Sequence, residues 1–284
     1  MKLSKFFQIF TKEIEKKKKI SINIKIIPMK TKQPKSKIKR RNDFSEFIDT
    51  LIQRFEASPS IPLQINSLSN ESGVEKRRLY DLMNVLVACG VCTRRDTHTF
   101  AWNGISASKD TLQQISKDFE ERSIRDRPEQ IFLLPDSPAI GLISTTFIAT
   151  FLYMGVKTLG IRDASLIMAN DEEHSKPILR RLYLVAFLLE RIGILTHSQK
   201  IGEYSLNENI EKITEQSLTD LAKENKFSPD SIEFQLSRFG KNYMMKLYKS
   251  RQLAFARQLQ IRTRTKTNTE TLIINPYAIQ SVDA

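Results

Sequence analysis

Cysteine and histidine are scarce in this sequence, which has two of the first and three of the second among 284 residues. Cys89 and Cys92 form a lone CxxC, and no second ligand pair follows to complete a zinc site. Both cysteines fit the end of a core helix and its next strand. So few cysteines indicate a reducing compartment. Nucleophile and phosphate-loop signatures are also absent, so we expect no cofactor, no metal and no enzyme.

Long uncharged runs are nearly absent too. The exception is Ser137–Val156, which holds no charge for 20 positions and is long enough to span a bilayer. Serine and threonine residues lower the hydrophobicity of this run, and Pro138 and Gly141 lie near its start. No cleavable signal precedes it. We expect a buried helix here. A membrane protein, the alternative, would partition with detergent, whereas a soluble basic chain would be retained on heparin.

Positive charge is concentrated at the N-terminus. The chain carries +13, and residues 1–41 hold 15 Lys or Arg against two Glu, which alone accounts for it. Such an arm can neutralise phosphates or insert Arg40 or Arg41 into a narrow minor groove. Lys35–Arg41 also has the composition of a nuclear import signal. A solubilising disordered tail is the alternative, and Met29 is an alternative initiator.

One segment occurs twice. RRLYDLMNVLVACGVC, from Arg77 to Cys92, returns 103 positions later as RRLYLVAFLLERIGIL, from Arg180 to Leu195. An ungapped alignment keeps seven residues: Arg77/Arg180, Arg78/Arg181, Leu79/Leu182, Tyr80/Tyr183, Leu86/Leu189, Gly90/Gly193 and Thr93/Thr196. This indicates an internal repeat, so one chain carries two copies of one module.

The first copy has the pattern of three helices followed by a β-hairpin. Residues 44–57 fit an amphipathic helix with Phe47, Leu51 and Phe55 inward, and residues 66–71 fit a short second helix. Two short strands, 91–93 and 99–102, flank a charged turn. Together with the helix between them, these elements predict a winged helix.

The third helix contains the repeated motif. Ser72 and Glu75 have the spacing of a capping box, which predicts a helix start near Val74. Gly90 predicts the end of this helix. One face of this helix is apolar, and the opposite face carries three polar residues, Arg77, Asp81 and Asn84.

These residues resemble the E2-promoter-binding factor/DP family of cell-cycle transcription factors, whose recognition helix carries an RRxYD motif. The similarity covers about 40–104 and includes QRF at 53–55, GVEKRRLYDLMNVL at 73–86 and AWNG at 101–104. The second copy, about 139–206, resembles the same domain. Two such domains are similar to the atypical, DP-independent branch, whose members supply both halves of the DNA-binding pair. The resemblance implies a mainly α fold with small β wings.

The expected chemistry is base recognition by arginine. A guanidinium can bind guanine O6 and N7 with two hydrogen bonds, so Arg77 and Arg78 are the candidate base readers, with Lys76 beside them. The family match adds Asp81 as a residue that holds Arg77, and Tyr80 as a phosphate ligand or a lock on the helix. A solvated arginine face and a core-edge tyrosine are the alternatives.

The second copy departs from the motif where DNA contact would occur. Leu184 replaces the aspartate and Phe187 the asparagine, while Arg180, Arg181 and Tyr183 remain candidate DNA contacts. Leu184 and Phe187 add apolar surface that must be covered. We expect the second domain to bind DNA weakly or to pack mainly against the first.

The chain therefore divides into five predicted regions. Residues 105–137 begin with a helix and become charged and proline-containing, which predicts a linker that leaves the domains free to pair. A helix over 231–260 would expose basic residues for phosphate or a partner, or simply to solvent. The regions are a disordered arm 1–39, a first winged helix 40–104, a linker 105–137, a degenerate winged helix 138–207 and a helical basic region 208–284 with a disordered end.

The predicted function is nuclear, sequence-specific binding of double-stranded DNA that regulates cell-cycle genes transcribed by RNA polymerase II. By resemblance, the target is a T-rich run next to a G/C core. No acidic activating tail or retinoblastoma-binding segment is present, which favours repression by occupying sites. The winged helices would pair within the chain, in a homodimer or with a DP-like partner. An interaction scaffold whose arginines are structural is the alternative.

Overall fold

The computed structural model describes residues 39–224 and 244–256, with the side chains of these ranges except those of residues 39–43, 128, 129 and 224. It contains two successive winged helices with further helices packed around them. The predicted fold class, mainly helical with two small β wings, is confirmed. The N-terminal arm, including the side chains of Arg40 and Arg41, lies outside the described residues.

The first winged helix has three helices and a three-stranded antiparallel sheet of order β1-β3-β2. Its third strand, β1, was not expected from the sequence because it has only two residues. In chain order the elements are α1 Lys39–Ala57, β1 Leu63–Gln64, α2 Ile65–Ser72, α3 Lys76–Ala88, β2 Cys92–Arg94 and β3 Thr99–Trp102. Leu51 and Phe55 are buried as predicted, Phe47 is only half-buried, and Ile48 fills the core beside them.

The predicted capping box is wrong. Ser72 lies in the last turn of α2, where its hydroxyl donates to the Leu68 carbonyl oxygen at 2.5 Å. The same hydroxyl oxygen accepts from the backbone N–H of Val74 at 3.2 Å, which lies ahead of α3, so it does not cap that helix. Gly73 then ends α2 with a φ of 69°, and α3 begins at Lys76 rather than near Val74, without a side-chain cap from Glu75.

The second winged helix repeats the same order of elements. Its antiparallel sheet has the order β4-β6-β5, so each sheet places its last strand in the middle. The elements are α6 Ile140–Met154, β4 Thr158–Gly160, α7 Ile161–Ile167, α8 Glu172–Arg191, β5 Leu195–His197 and β6 Glu203–Leu206.

The repeat offset of 103 holds in three dimensions through the third helix and the next strand, and becomes 104 in the last strand. The helices α3 and α8 end at equivalent positions, and β2 and β5 cover equivalent residues. Gly90 and Gly193 both have a φ of 77°. The side-chain amide of Asn103 donates to the Gly90 carbonyl oxygen at 2.9 Å, and that of Asn207 donates to Gly193 at 2.7 Å. The same side-chain lock therefore closes the helix-to-wing turn in both copies.

The expectation of a free linker is wrong for residues 108–125. They form α4 Ser108–Arg125, which follows a short 3-10 turn at Ile105–Ala107 and precedes α5 Pro128–Ile131. Leu112, Ile115 and Phe119 are buried. Their spacing of three and four residues is that of a packed helix face. This helix packs against α6 and against α9 Ile210–Glu224.

The C-terminal region adds a second helical contribution. Residues 244–256 are helical and bury Met244, Tyr248, Arg251 and Phe255. The remainder of the helix predicted over 231–260 lies outside the described residues, as do residues 257–284 and the predicted disordered end.

The uncharged stretch Ser137–Val156 contains α6, which is a buried helix. Along α6 nearly every side chain is buried, including Phe147 and Phe151. Its hydroxyl residues bond to the helix backbone, as Ser144 does to the Ile140 carbonyl oxygen at 2.9 Å and Thr150 to that of Thr146 at 2.8 Å. Among the helices in the described ranges, none combines the length and apolar character that crossing a membrane requires.

Candidate nucleic-acid interface

Helix α3 has one buried face and one exposed basic end. Leu79, Leu82, Met83 and Leu86 are buried. Lys76, Arg77 and Arg78 occupy its first turn and are exposed, and this turn contains no acidic residue. The helix N-terminus adds partial positive charge at the same place. The arrangement favours an anion there.

Arg77 is not held by the motif aspartate in the free protein. Asp81 lies one turn further along the same helix, but no ion pair within 4.0 Å joins their side chains. Within the described part of the chain, neither Lys76 nor Arg77 has an ion-pair partner. Their donors therefore face solvent and are available to a ligand.

Tyr80 connects α3 to the wing. Its hydroxyl lies 2.5 Å from Nδ1 of His98, in the turn between β2 and β3. A second link joins the wing to the same helix, because Nη2 of Arg94 donates to Oδ1 of Asn84 at 2.5 Å. This contact is compatible with the lock on the helix, and both roles of Tyr80 stay predictions. The histidine and Arg94 were missed by sequence reasoning, since their partners are 18 and 10 residues away.

The wing turn is ordered by Asp96. Its carboxylate accepts from the backbone N–H groups of His98 at 2.8 Å and Thr99 at 2.9 Å. These hydrogen bonds, first that of His98, lower the pKa of Asp96 below its usual range. The turn therefore keeps its shape while Arg95, beside it, stays exposed.

Arg78 rests on an aromatic ring of α1. Its guanidinium carbon lies 5.7 Å from the centre of the Phe44 ring, within the range of a cation–π contact. Phe44 is half-buried and lies one turn before Phe47 on the predicted apolar face. Sequence reasoning assigned the arginine but not its support.

Helix α8 is longer than α3 and begins with the opposite charge. Lys76 corresponds to Leu179, yet α8 begins at Glu172, seven residues earlier. Asp171 caps the helix by accepting from the backbone N–H of His174 at 2.8 Å, and Glu172 and Glu173 follow. Carboxylates at a helix N-terminus stabilise it, but they would repel a phosphate.

The basic residues of the second motif differ in their availability. Arg180 is exposed and Tyr183 is 47% exposed. Arg181 donates to the carbonyl oxygen of Pro138, just ahead of α6, so this guanidinium is partly used within the fold. The second copy therefore keeps fewer free donors than the first.

His174 belongs to an acidic group at the start of α8. Its Nδ1 lies 2.7 Å from Asp171, and its Nε2 lies 3.8 Å from Asp136. The hydrogen bond and charge of Asp171 raise the pKa of His174 above its ordinary value.

The two winged helices contact each other through α8. The rings of Phe187 and Phe44 stack with centroids 6.4 Å apart, and Nη1 of Arg191 donates to Oδ2 of Asp49 at 3.1 Å. At a second point, Gly141 of α6 lies so close to α3 that a methyl group there would come within 3.3 Å of the Asn84 carbonyl oxygen. The Phe187 face of α8 therefore contacts α1 of the first winged helix, while pairing of the two domains on DNA stays a prediction.

The two cysteines lie in the core of the first winged helix. Both are buried, and burial raises the pKa of the Cys89 and Cys92 thiols to about 12. Over the described residues, no three Cys, His, Asp or Glu side chains are grouped as a metal site would need.

Comparison with known proteins identifies the first domain. The winged-helix DNA-binding domain of the E2-promoter-binding factor/DP family matches residues 44–104, which includes the whole of α3 and its wing. Relatives include the transcription factor-like protein E2FE of Arabidopsis thaliana, 23% identical over 47% of this chain, and the transcription factor E2F7 of Danio rerio, 26% identical over 49%. The first winged helix is thus similar to the DNA-binding domain of the E2-promoter-binding factor/DP family. The predicted resemblance, including the atypical branch, is confirmed.

These matches cover parts of longer proteins. The aligned segments are 44% of the E2FE protein and 22% of the E2F7 protein, so the chain spans less than half of their length. Members of the E2-promoter-binding factor/DP family are DNA-binding regulators rather than enzymes. The match of residues 44–104 therefore indicates a DNA-binding domain, with the basic first turn of α3 as its candidate contact surface.

Proposed function

We propose that this chain is a sequence-specific regulator of transcription, in which Arg77 and Arg78 read the bases of double-stranded DNA. The observation that carries this proposal is the first turn of α3, where three basic side chains are exposed with no acidic neighbour in that turn. An arginine fork can bind guanine with two hydrogen bonds in the major groove. Asp81 takes part only when DNA draws Arg77 into place.

The two copies have different roles in this proposal. The first helix offers free cations, whereas the second begins with acidic residues and uses Arg181 within the fold. Phosphate contacts dominate the affinity of DNA-binding proteins, so α8 contributes less to the affinity for DNA than α3 does. Arg180 and Tyr183 make at most secondary contacts.

Pairing within one chain replaces an external DP-like partner. The stack of Phe44 on Phe187 and the ion pair of Asp49 with Arg191 support this arrangement over a homodimer. The proposed target, by family resemblance, is a T-rich run next to a G/C core. The proposed setting is the nucleus, with repression of cell-cycle genes by site occupation and with Arg40 and Arg41 reaching the adjacent minor groove.

The test compares binding of the purified chain to a TTTGGCGC-type duplex and to a scrambled duplex at physiological salt. Arg77→Ala should weaken binding to the first duplex by about 5- to 150-fold, which corresponds to roughly 1–3 kcal/mol per bidentate pair. Arg180→Ala, at the equivalent position of the second copy, is the matched control and should cost far less. Equal weak binding of the unmodified chain to both duplexes would overturn the proposal and leave the basic arm as the source of affinity.

A further inference from the structure

Phe187 stands in the second copy where Asn84 stands in the first, 103 positions earlier. Asn84 accepts from Arg94 of its own wing at 2.5 Å. The side chain of Phe187 instead contacts α1 of the first winged helix, where its ring is inclined at 28° to that of Phe44. The substitution thus exchanges a polar contact within one domain for an aromatic contact between two.

Phe44 also contacts Arg78. The guanidinium carbon lies 5.7 Å from the Phe44 ring centre. Phe187, Phe44 and Arg78 therefore form a connected series that begins on the recognition helix of the second domain and ends on a candidate base reader of the first. We call it the aromatic support.

Two neighbouring side chains, Arg191 and Phe47, also contact the rings of the aromatic support. The guanidinium of Arg191 lies 5.5 Å from the Phe187 ring centre, and the same group is held by Asp49 on α1. Phe47 stacks on Phe44 with centroids 6.3 Å apart. Both rings of the series are half-buried, so their rotamers are restricted by neighbours on two helices.

We propose that Phe187 is a positioning residue for Arg78, acting through Phe44. An exposed arginine samples many rotamers, and ordering it at an interface lowers the affinity. A flat ring beneath the guanidinium restricts these rotamers before DNA arrives, and the ring of Phe187 keeps Phe44 in place. The second recognition helix would thus contribute to base reading without touching a base. This inference rests on the proposed function for its DNA consequence, but the ordering of Arg78 can be measured without DNA.

The first experiment uses the full chain free of DNA and follows the Nε–Hε resonance of Arg78 by NMR. Ring currents of Phe44 should displace this resonance from the position that exposed arginines share. Phe187→Leu, which keeps the apolar volume but removes the flat ring, should move it part of the way to that position, and Phe44→Leu should move it completely. An unchanged Arg78 resonance in folded Phe187→Leu protein would overturn the proposal.

The second experiment is a double-mutant cycle on the TTTGGCGC-type duplex. Phe187→Leu should weaken specific binding by at most about two- to fivefold, the effect of losing the whole cation–π contact of Arg78 with Phe44 at an exposed site, and leave binding to the scrambled duplex unchanged. In an Arg78→Ala background the same substitution should have no further effect. A loss of equal size in both backgrounds would mean that Phe187 acts only by holding the domains together, and would overturn the proposal.

Asp49→Asn is the matched control. It breaks the ion pair with Arg191 across the same two helices and leaves both rings in place. Because both rings and their stack remain, the Arg78 resonance and the discrimination between duplexes should change less than in Phe187→Leu; a loss equal to that of Phe187→Leu would assign the effect to the interface as a whole. If the unmodified chain fails to discriminate, the proposed function fails, and the resonance of Arg78 still decides the positioning role.

Discussion

The guanidinium of Arg251 binds the carboxylate of Glu120 with two hydrogen bonds, 2.8 Å from Nη1 to Oε1 and 2.5 Å from Nη2 to Oε2. Both side chains are buried, 8% and 3% exposed. The same guanidinium donates to the Tyr153 carbonyl oxygen at 3.0 Å and lies 3.7 Å from that residue's ring centre. This one residue therefore ties the C-terminal helical segment to α4 and to α6.

Replacing Arg251 should destabilise the fold strongly. Arg251→Met leaves the Glu120 carboxylate buried without a cation, which typically costs about 3–5 kcal/mol. Urea unfolding monitored by circular dichroism measures the loss. The double substitution Glu120→Leu with Arg251→Met is the control, because two apolar side chains leave no buried charge. A double variant as unstable as the single one would contradict the explanation.

The two equivalent glycines should respond differently to alanine. Both need a positive φ, so Gly193→Ala should cost about 1–2 kcal/mol, the strain of a left-handed conformation. Gly90→Ala should cost more, because its methyl group would overlap Oγ1 of Thr111 on α4, whereas Gly193 has nothing within 4 Å. Thermal unfolding of the two variants checks the order. Equal losses of stability in the two variants would mean that Thr111 on α4 moves away from the new methyl group without a cost in free energy.

Stability near α8 should depend on the charge of His174. Its pKa is raised above 6.5, so the contribution is fully present below the unfolded value and is lost as the pH rises through the folded value. An NMR titration of the ring should show the raised pKa. Asp171→Asn keeps an acceptor for the helix N-terminus but removes the charge, and should return the pKa toward 6.5. A titration unaltered by that substitution would assign the shift to another group.

The two cysteines should be unreactive in the folded chain. With a pKa of about 12, the thiolate fraction at pH 8 is about one in ten thousand, and burial blocks access as well. Alkylation at pH 8 followed by mass spectrometry should show no label on Cys89 or Cys92 until denaturant is added. Rapid labelling without denaturant would show that the core of the first winged helix opens.

Much of the first domain could be predicted because its signals are local. The apolar spacing of Leu79, Leu82 and Leu86 depends only on helix geometry, and these residues are buried as expected. The start of α3 was misplaced because Ser72 still belongs to the last turn of α2, and its hydroxyl bonds to Leu68 and Val74 rather than to the first turn of α3. The burial of α4 was missed because the charged residues of 105–137 dominate its composition, while three apolar positions decide its packing.

By itself the sequence determined the repeat, the winged-helix order of elements and the basic residues that begin α3, since each is encoded by residues close together along the chain. Only the tertiary structure decided that Phe187 lies against Phe44, and that Arg251 finds Glu120 across 131 positions. Nothing local encodes such a pairing. It follows from which apolar faces remain uncovered once the helices have formed, and from the free energy gained when they cover one another.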